Sequence, residues 1–397
     1  MGNRLTLINQ LAGVALDARF INITVKSCNA LTGEHLADQG ALSVVFKADD
    51  LATGKPVAIK FFDPEYNDFD GSRKVLFQRE SSLLAKIKNN PRCLKLIQDI
   101  SQYSLTITDN SGKSLSLHTY YIVTEWIEAD ILDYFLNQDQ IDAVEKLKVF
   151  RQVALSVFVL HSERIYHRDI KRDNFRIVTR ENTPLIVAID LGSASLMDSP
   201  PNNNQSIYQT TRGAPAFSAL EAMCGLGGIR KLGICGDIYA LGALLHDLFN
   251  VDLFCIRLTK NTGFANIYGV CSMAIINALQ RNLSEDDLLK EWHKLMSRNQ
   301  YQLIPVDLEG VGNRIPSAIK NNLNQLYNDL VNLDYRKRII KSDLILRRID
   351  ATIRVLTSSA FEEKRNQERF KIRTLRELKA RQQQEKLNKY LKTNQGN

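Results

Sequence analysis

The chain has no C-x-x-C pair: its six cysteines (Cys28, Cys93, Cys224, Cys235, Cys255 and Cys271) are scattered over 397 residues. That scatter excludes a zinc-ribbon type of site and argues against a disulfide framework, and it suits a reducing compartment. No uninterrupted apolar run approaches the roughly 18 residues that a membrane span requires. The apolar stretch from Leu5 to Leu16 is broken by Asn9 and Gln10, a poor fit to a signal peptide. The expectation is a soluble, cytoplasmic protein. An acidic surplus is also missing, since Lys and Arg number 52 against 44 Asp and Glu. Residues 341–397 alone hold fifteen basic and seven acidic side chains, so this segment carries the whole excess of +8 and the remaining body is neutral. There is no internal repeat, and the one low-complexity patch is Pro200-Pro201-Asn202-Asn203-Asn204-Gln205.

Apolar residues make up 44% of the chain and charged ones 24%, enough for a full hydrophobic core. The length suits one large domain of roughly 300 residues with extensions. Leu42 to Ala48 and Pro56 to Phe62, separated by Thr53-Gly54-Lys55, are rich in β-branched and aromatic residues and predict an antiparallel hairpin. Leu105 to Thr108 and Leu115 to Val123 flank Asp109-Asn110-Ser111-Gly112 and predict a second hairpin. Between them, Ser72 to Lys88 has helical spacing. From Ala143 onward the pattern is mainly helical, over 144–161, 237–249, 285–297 and 319–333. A β-rich part followed by an α-rich part places a cleft between two lobes.

Tyr166-His167-Arg168-Asp169-Ile170-Lys171-Arg172-Asp173-Asn174 is followed sixteen residues later by Asp190-Leu191-Gly192. In order, this stretch supplies an acid beside an attacking hydroxyl, a cation for a transferring phosphoryl group, and two oxygen ligands for magnesium. The pattern H-R-D-x-K-x-x-N…D-x-G resembles the eukaryotic-type protein kinases. Val57-Ala58-Ile59-Lys60, Ala219-Leu220-Glu221, Asp237-Ile238-Tyr239-Ala240-Leu241-Gly242 and Arg338 fall at fitting distances, and the resemblance covers about residues 36–345.

The resemblance implies an α+β, bilobal protein-kinase-like fold with a β-rich N-lobe, an α-helical C-lobe and a basic helical C-terminal tail. The division it implies is an N-terminal extension (1–35), an N-lobe (36–124), a C-lobe (125–345) and a basic helical extension (346–397). It also implies a Ser/Thr kinase that uses ATP and Mg²⁺ on protein substrates and modifies its own activation segment, with a pseudokinase or nucleotide-binding scaffold as the alternative. Asp169 is then the proton acceptor, and Lys171 neutralises charge on the transferred group. Lys60 grips the α- and β-phosphates, held by Glu80, while Asn174 and Asp190 ligate magnesium. Gly40, Ser43, Val45, Ala58, Thr124, Glu125 and Ile127 surround the nucleotide. Glu221, Asp237 and Arg338 are structural. Arg168 receives a phosphate carried by Thr210 or Thr211.

The sequence departs from the family pattern in places. In the glycine-rich window Asp38 to Ser43 only Gly40 remains, and Arg176 stands where an apolar side chain often floors the adenine. Ala214 replaces a threonine that often bonds the catalytic aspartate, and Leu191 replaces a phenylalanine. The tail from Phe361 to Lys392 reads as a solvated helix, without the strict heptad of a coiled coil. Its charge makes nucleic acid or an anionic membrane surface a candidate partner.

Overall fold

The computed structural model describes residues 2–36, 43–66, 72–108, 113–137, 140–198, 213–299, 305–309 and 315–358, with short helical stretches between 366 and 382. Gly40, Thr210 and Thr211 lie outside the described residues. The N-lobe holds α1 (Asn3–Leu11), β1 (Phe20–Val25), β2 (Ser43–Asp50), β3 (Lys55–Phe62), α2 (Ser72–Ile87), β4 (Leu96–Thr108) and β5 (Ser114–Glu125). The five strands form one antiparallel sheet in the order β1-β2-β3-β5-β4. Both hairpins expected from the sequence are present, as β2–β3 and β4–β5.

The period-two alternation of β3 decides what each face does. Val57, Ile59 and Phe61 point to one face and are buried with Val44, Phe46 and Val123, beneath Leu7, Ile8 and Leu11 of α1. Ala58 and Lys60 point to the other face and line the cleft. The sequence set residues 1–35 apart as an extension. In the structure their helix and strand are built into the N-lobe: β1 pairs with β2, and α1 covers the back of the sheet. The short α1 carries only three buried apolar residues, a signal too brief to stand out in the sequence. Leu7→Ala should therefore lower stability by about 2–5 kcal/mol, the usual range for a buried leucine, read from a urea midpoint. A midpoint equal to that of the unaltered protein would show that α1 does not pack on the sheet.

The C-lobe begins with α3 (Asp133–Leu136) and α4 (Ala143–Ser162), whose start is capped by the Asp142 carboxylate accepting from Glu145 N at 2.9 Å. Short strands follow: β6 (Ile165–Tyr166) pairs with β9 (Ser195–Leu196), and β7 (Phe175–Arg180) pairs with β8 (Thr183–Ala188). The remaining helices are α5 (Gly233–Phe249), α6 (Phe254–Thr259), α7 (Thr262–Gln280), α8 (Glu285–Asn299), α9 (Lys320–Leu330) and α10 (Ser342–Thr357). By length and mean hydropathy, Arg230–Phe249 could cross a membrane, but 83% of its apolar 18-residue window is buried inside the domain, where α5 is the central helix.

The boundary expected at residues 345/346 falls inside α10. That helix buries Ile345, Ile349, Thr352 and Leu356 and ties to α4 through Arg151 Nε–Asp350 Oδ1 at 2.5 Å. Further along the tail, Phe370, Ile372 and Leu378 are exposed, and Arg373 pairs with Glu377 one turn on at 3.0 Å.

Candidate active site

The cleft between the lobes encloses about 370 Å³. Its roof comes from Ser43 and Val45 on β2 with Ala58 and Lys60 on β3, and its back from Thr124, Glu125 and Ile127 at the end of β5. Its floor comes from Asn174, Arg176, Ile189 and Asp190. These include every nucleotide-contact residue expected from the sequence except Gly40. Thr124 is buried and sits opposite Ala58 in the β3–β5 register. The Glu125 carboxylate accepts from Lys95 N at 2.9 Å and pairs with Arg180, which fixes the turn between the lobes.

Lys60 is the hub. Its ammonium donates to Glu80 Oε1 and Oε2 at 2.8 Å each and to Asp190 Oδ1 at 2.9 Å. Strand β3, helix α2 and the loop after β8 thus meet at one nitrogen. Burial acts against the charged ammonium, but the carboxylates of Asp190 and Glu80 outweigh it and hold the lysine protonated well beyond its ordinary range. The Lys60 charge in turn brings Asp190 down to about 2. Glu80 is pushed upward by burial, since one ammonium serves two carboxylates. Asp190 has a positive φ of 59°, and Gly192 lies so close that a Cβ there would stand 3.3 Å from Asp190 Oδ1.

Asp169 faces the same space. Its Oδ2 accepts from Asn174 Nδ2 at 2.9 Å and lies 3.7 Å from Lys171 Nζ. Its Oδ1 accepts from Ala214 N at 2.7 Å. The backbone amide thus makes the bond that the sequence reading gave up with the threonine side chain. Gly213 makes this approach possible, with φ at 85° and a virtual Cβ only 2.3 Å from Arg168 O. Below, buried Asp237 accepts from His167 N at 2.9 Å, Arg168 N at 2.8 Å and His161 Nε2 at 2.8 Å. Burial works against its carboxylate, yet the His161 bond and the neighbouring positive charge leave its pKa lowered. Asp237 therefore holds the backbone amides of His167 and Arg168, next to Asp169.

Arg168, with φ at 67°, donates from Nη2 to Gly227 O at 3.0 Å. Glu221 and Arg338 form a buried pair: Nη2 reaches Oε2 at 3.1 Å, and the guanidinium also bonds Asn332 O and Cys235 O. Arg176 lies in regular register on β7 opposite Val187, and its Nη1 donates to Asp173 O at 2.8 Å and Phe175 O at 2.9 Å.

Residues 34–346 match the protein kinase domain family, which is most of the chain. The chain belongs to the protein kinase domain family. A serine/threonine-protein kinase of Schizosaccharomyces pombe, ppk6, is 32% identical to it over 185 residues, 44% of this chain and 22% of that protein. CBL-interacting protein kinase 26 of Oryza sativa subsp. japonica is 28% identical over 210 residues, 53% of this chain and 38% of that protein. The serine/threonine-protein kinase RAD53 of Saccharomyces cerevisiae is 28% identical over 196 residues, 48% of this chain and 21% of that protein. The chain thus covers well under half the length of each of these relatives.

One part of the cleft, upstream of the matched residues, was missed from sequence. The connection from β1 to β2 runs from Lys26 to Leu42, and Lys26 and Ser27 at its start line the cleft beside Val45. Both precede the glycine-rich window at Asp38 to Ser43. The signal that could have found Ser27 is the strand pattern Phe20–Val25, which ends immediately before it.

Proposed function

We propose that this chain is a MgATP-dependent protein serine/threonine kinase that moves the γ-phosphate of ATP to protein hydroxyls. The observation that carries the reading is the junction of Lys60 with both Glu80 and Asp190, facing Asp169 across one cleft. Phosphoryl transfer depends mostly on positioning and electrostatic stabilisation, and such a junction fixes the groups that supply both.

Asp169 is held from both sides by Ala214 N and Asn174 Nδ2, which orients it to take the proton of an incoming hydroxyl. Lys171, beside it, offsets charge on the transferred group. The Asn174 amide nitrogen is committed to Asp169 O and Oδ2, which leaves its oxygen as the ligand atom. With the ionised Asp190 this makes a hard, oxygen-only donor pair that fits magnesium. Among the described residues there is no cluster of three or more His, Cys, Asp and Glu able to hold a metal. A two-ligand site completed by phosphate oxygens and water is the usual arrangement for that ion. Bound there, Mg²⁺ would neutralise charge on the phosphates.

In this reading, Lys171 favours Ser/Thr over Tyr acceptors, as the family resemblance implies, and Thr210 and Thr211 are autophosphorylation sites that engage Arg168. The relatives named serine/threonine-protein kinases support the acceptor class. A cytoplasmic location and an anionic partner for the basic tail belong to the same proposal. They rest on the dispersed cysteines and on the charge of residues 341–397.

The test is transfer from MgATP to serine, threonine and tyrosine peptides of matched sequence. Transfer confined to Ser and Thr supports the reading, and tyrosine transfer at equal rate overturns the acceptor assignment. Lys60→Ala should cut kcat/KM for ATP by about 10²-fold or more, as loss of a charge-stabilising donor does, and an unaffected value would assign that role to another cation. A scaffold reading is favoured only by the glycine-poor window and Arg176, and it requires nucleotide binding without transfer.

A further inference from the structure

Arg4, on α1, lies upstream of the matched family region yet reaches the roof of the cleft through two other segments. Its Nε and Nη2 donate to Asp63 Oδ2 at 3.0 and 2.7 Å, and its Nη1 donates to Gly33 O at 3.0 Å. Asp63 is fully buried and directly follows β3, three residues after Lys60. It also accepts from His35 Nε2 at 2.9 Å, while its other oxygen accepts from Glu65 N at 3.0 Å. The α1 backbone adds a further tie, Arg4 N to Glu65 Oε1 at 3.0 Å.

Gly33 and His35 belong to the segment 26–36, which closes on itself. Asn29 N bonds Glu34 O at 2.8 Å, Leu36 N bonds Ser27 O at 2.9 Å, and Cys28 bridges to His35. At its base, Ser27 Oγ accepts from Val45 N at 2.8 Å, and Lys26 N bonds Val45 O at 2.8 Å. Lys26, Ser27 and Val45 all line the cleft. At its tip, Gly33 rests on α1 with φ at 71° and a virtual Cβ 3.1 Å from Leu5 Cβ. One end of this closed segment therefore forms part of the nucleotide roof, and the other is fastened to α1 and to the end of the lysine-bearing strand.

We propose that Arg4 and His35, acting through Asp63, are positioning residues for the nucleotide: they hold the 26–36 segment as a brace that does the work of a glycine-rich loop. The inference rests on the kinase reading, because it takes the cleft to be the ATP site. A buried carboxylate stripped of its guanidinium partner destabilises the arrangement around it. Here that arrangement is the joint between the roof segment and β3, so the loss should appear in nucleotide affinity before it appears in turnover. Substitutions that weaken binding of ground and transition state alike raise KM and leave kcat.

The experiment measures affinity for a non-hydrolysable ATP analogue with Mg²⁺ by calorimetry, together with kcat, KM for ATP, KM for peptide and the melting temperature. The proteins are the unaltered chain, Arg4→Ala, Arg4→Lys, Asp63→Asn and Gly33→Ala. Arg4→Ala should weaken the analogue about tenfold, near the lower end of typical coupling between separated sites, with a matching rise in KM for ATP and little change in peptide KM or kcat. Arg4→Lys should recover part of the loss. Gly33→Ala changes no charge and should reproduce the phenotype by pushing the tip off Leu5. Affinity unchanged in Arg4→Ala and Gly33→Ala, with only the melting temperature lowered, overturns the proposal and leaves the cluster a purely structural clasp. Equal losses in ATP KM, peptide KM and kcat also overturn it, because they show general disruption. Analogue affinity needs no turnover. Failure of the unaltered protein to transfer phosphate would therefore count against the kinase reading alone, while the variant-to-unaltered affinity ratio still decides this one.

Discussion

In Asp169→Asn, phosphate transfer is expected to fall by about 10²- to 10⁴-fold, the range that a positioned general base contributes, while ATP-analogue affinity stays as it was. The side chain contacts Asn174, Ala214 and Lys171, whereas the Lys60 ammonium bonds Glu80 and Asp190. Removing its basicity leaves that binding hub intact. The amide keeps an acceptor for Ala214 N but turns its NH₂ toward the donor of Asn174, a local conflict that a melting curve registers separately from the rate. Initial rates of peptide phosphorylation beside calorimetric affinity make the comparison. A rate equal to that of the unaltered protein would take the proton-accepting role away from Asp169.

The largest stability effect is expected at Arg338, some distance from the chemistry. Arg338→Ala leaves Glu221 buried without its cation and should destabilise the domain by about 3–5 kcal/mol. The guanidinium also bonds Asn332 O and Cys235 O and lies 4.9 Å from the centre of the Tyr239 ring, so its loss removes a donor from two carbonyls as well. Replacing both partners, as Glu221→Met with Arg338→Met, should return much of the stability, because the uncompensated charge is the main penalty. Urea denaturation of the single and double variants reads this directly. A single-variant loss below about 1 kcal/mol, the value typical of exposed pairs, would mean that the pair is solvated.

The two substitutions divide what could be read from the sequence. Asp169, Lys171, Asn174 and Asp190 stand close together in the chain, so one short motif carries the resemblance that implies their roles. The Glu221–Arg338 pair spans 117 residues and was legible only through the family resemblance. Ala58 and Lys60, which the resemblance placed at the nucleotide, share one face of β3 by simple alternation and both line the cleft.

What escaped was written in weaker signals. Helix α7 (Thr262–Gln280) contains no charged residue, so it lacks the polar-face contrast by which amphipathic helices are found. Segment α1–β1 is short, and its partners lie up to a hundred residues away, as in the bond from Gln98 Nε2 to Asp17 Oδ2 at 2.7 Å. Ala214 looked like a lost contact because side chains are visible in a sequence and backbone amides are not. Arg176, where an apolar side chain often floors the adenine, sits in the regular pairing of β7, and its guanidinium is drawn back onto the carbonyls of Asp173 and Phe175 beside Asn174.

The most direct test of the central claim is phosphosite mass spectrometry of the full chain after incubation with ATP and magnesium, alongside Asp190→Ala. The account predicts phosphoserine or phosphothreonine, including Thr210 or Thr211, in the unaltered protein and none in the variant. Nucleotide binding with no phosphate transfer to the chain or to any Ser/Thr peptide would contradict it, as would equal phosphorylation of both proteins.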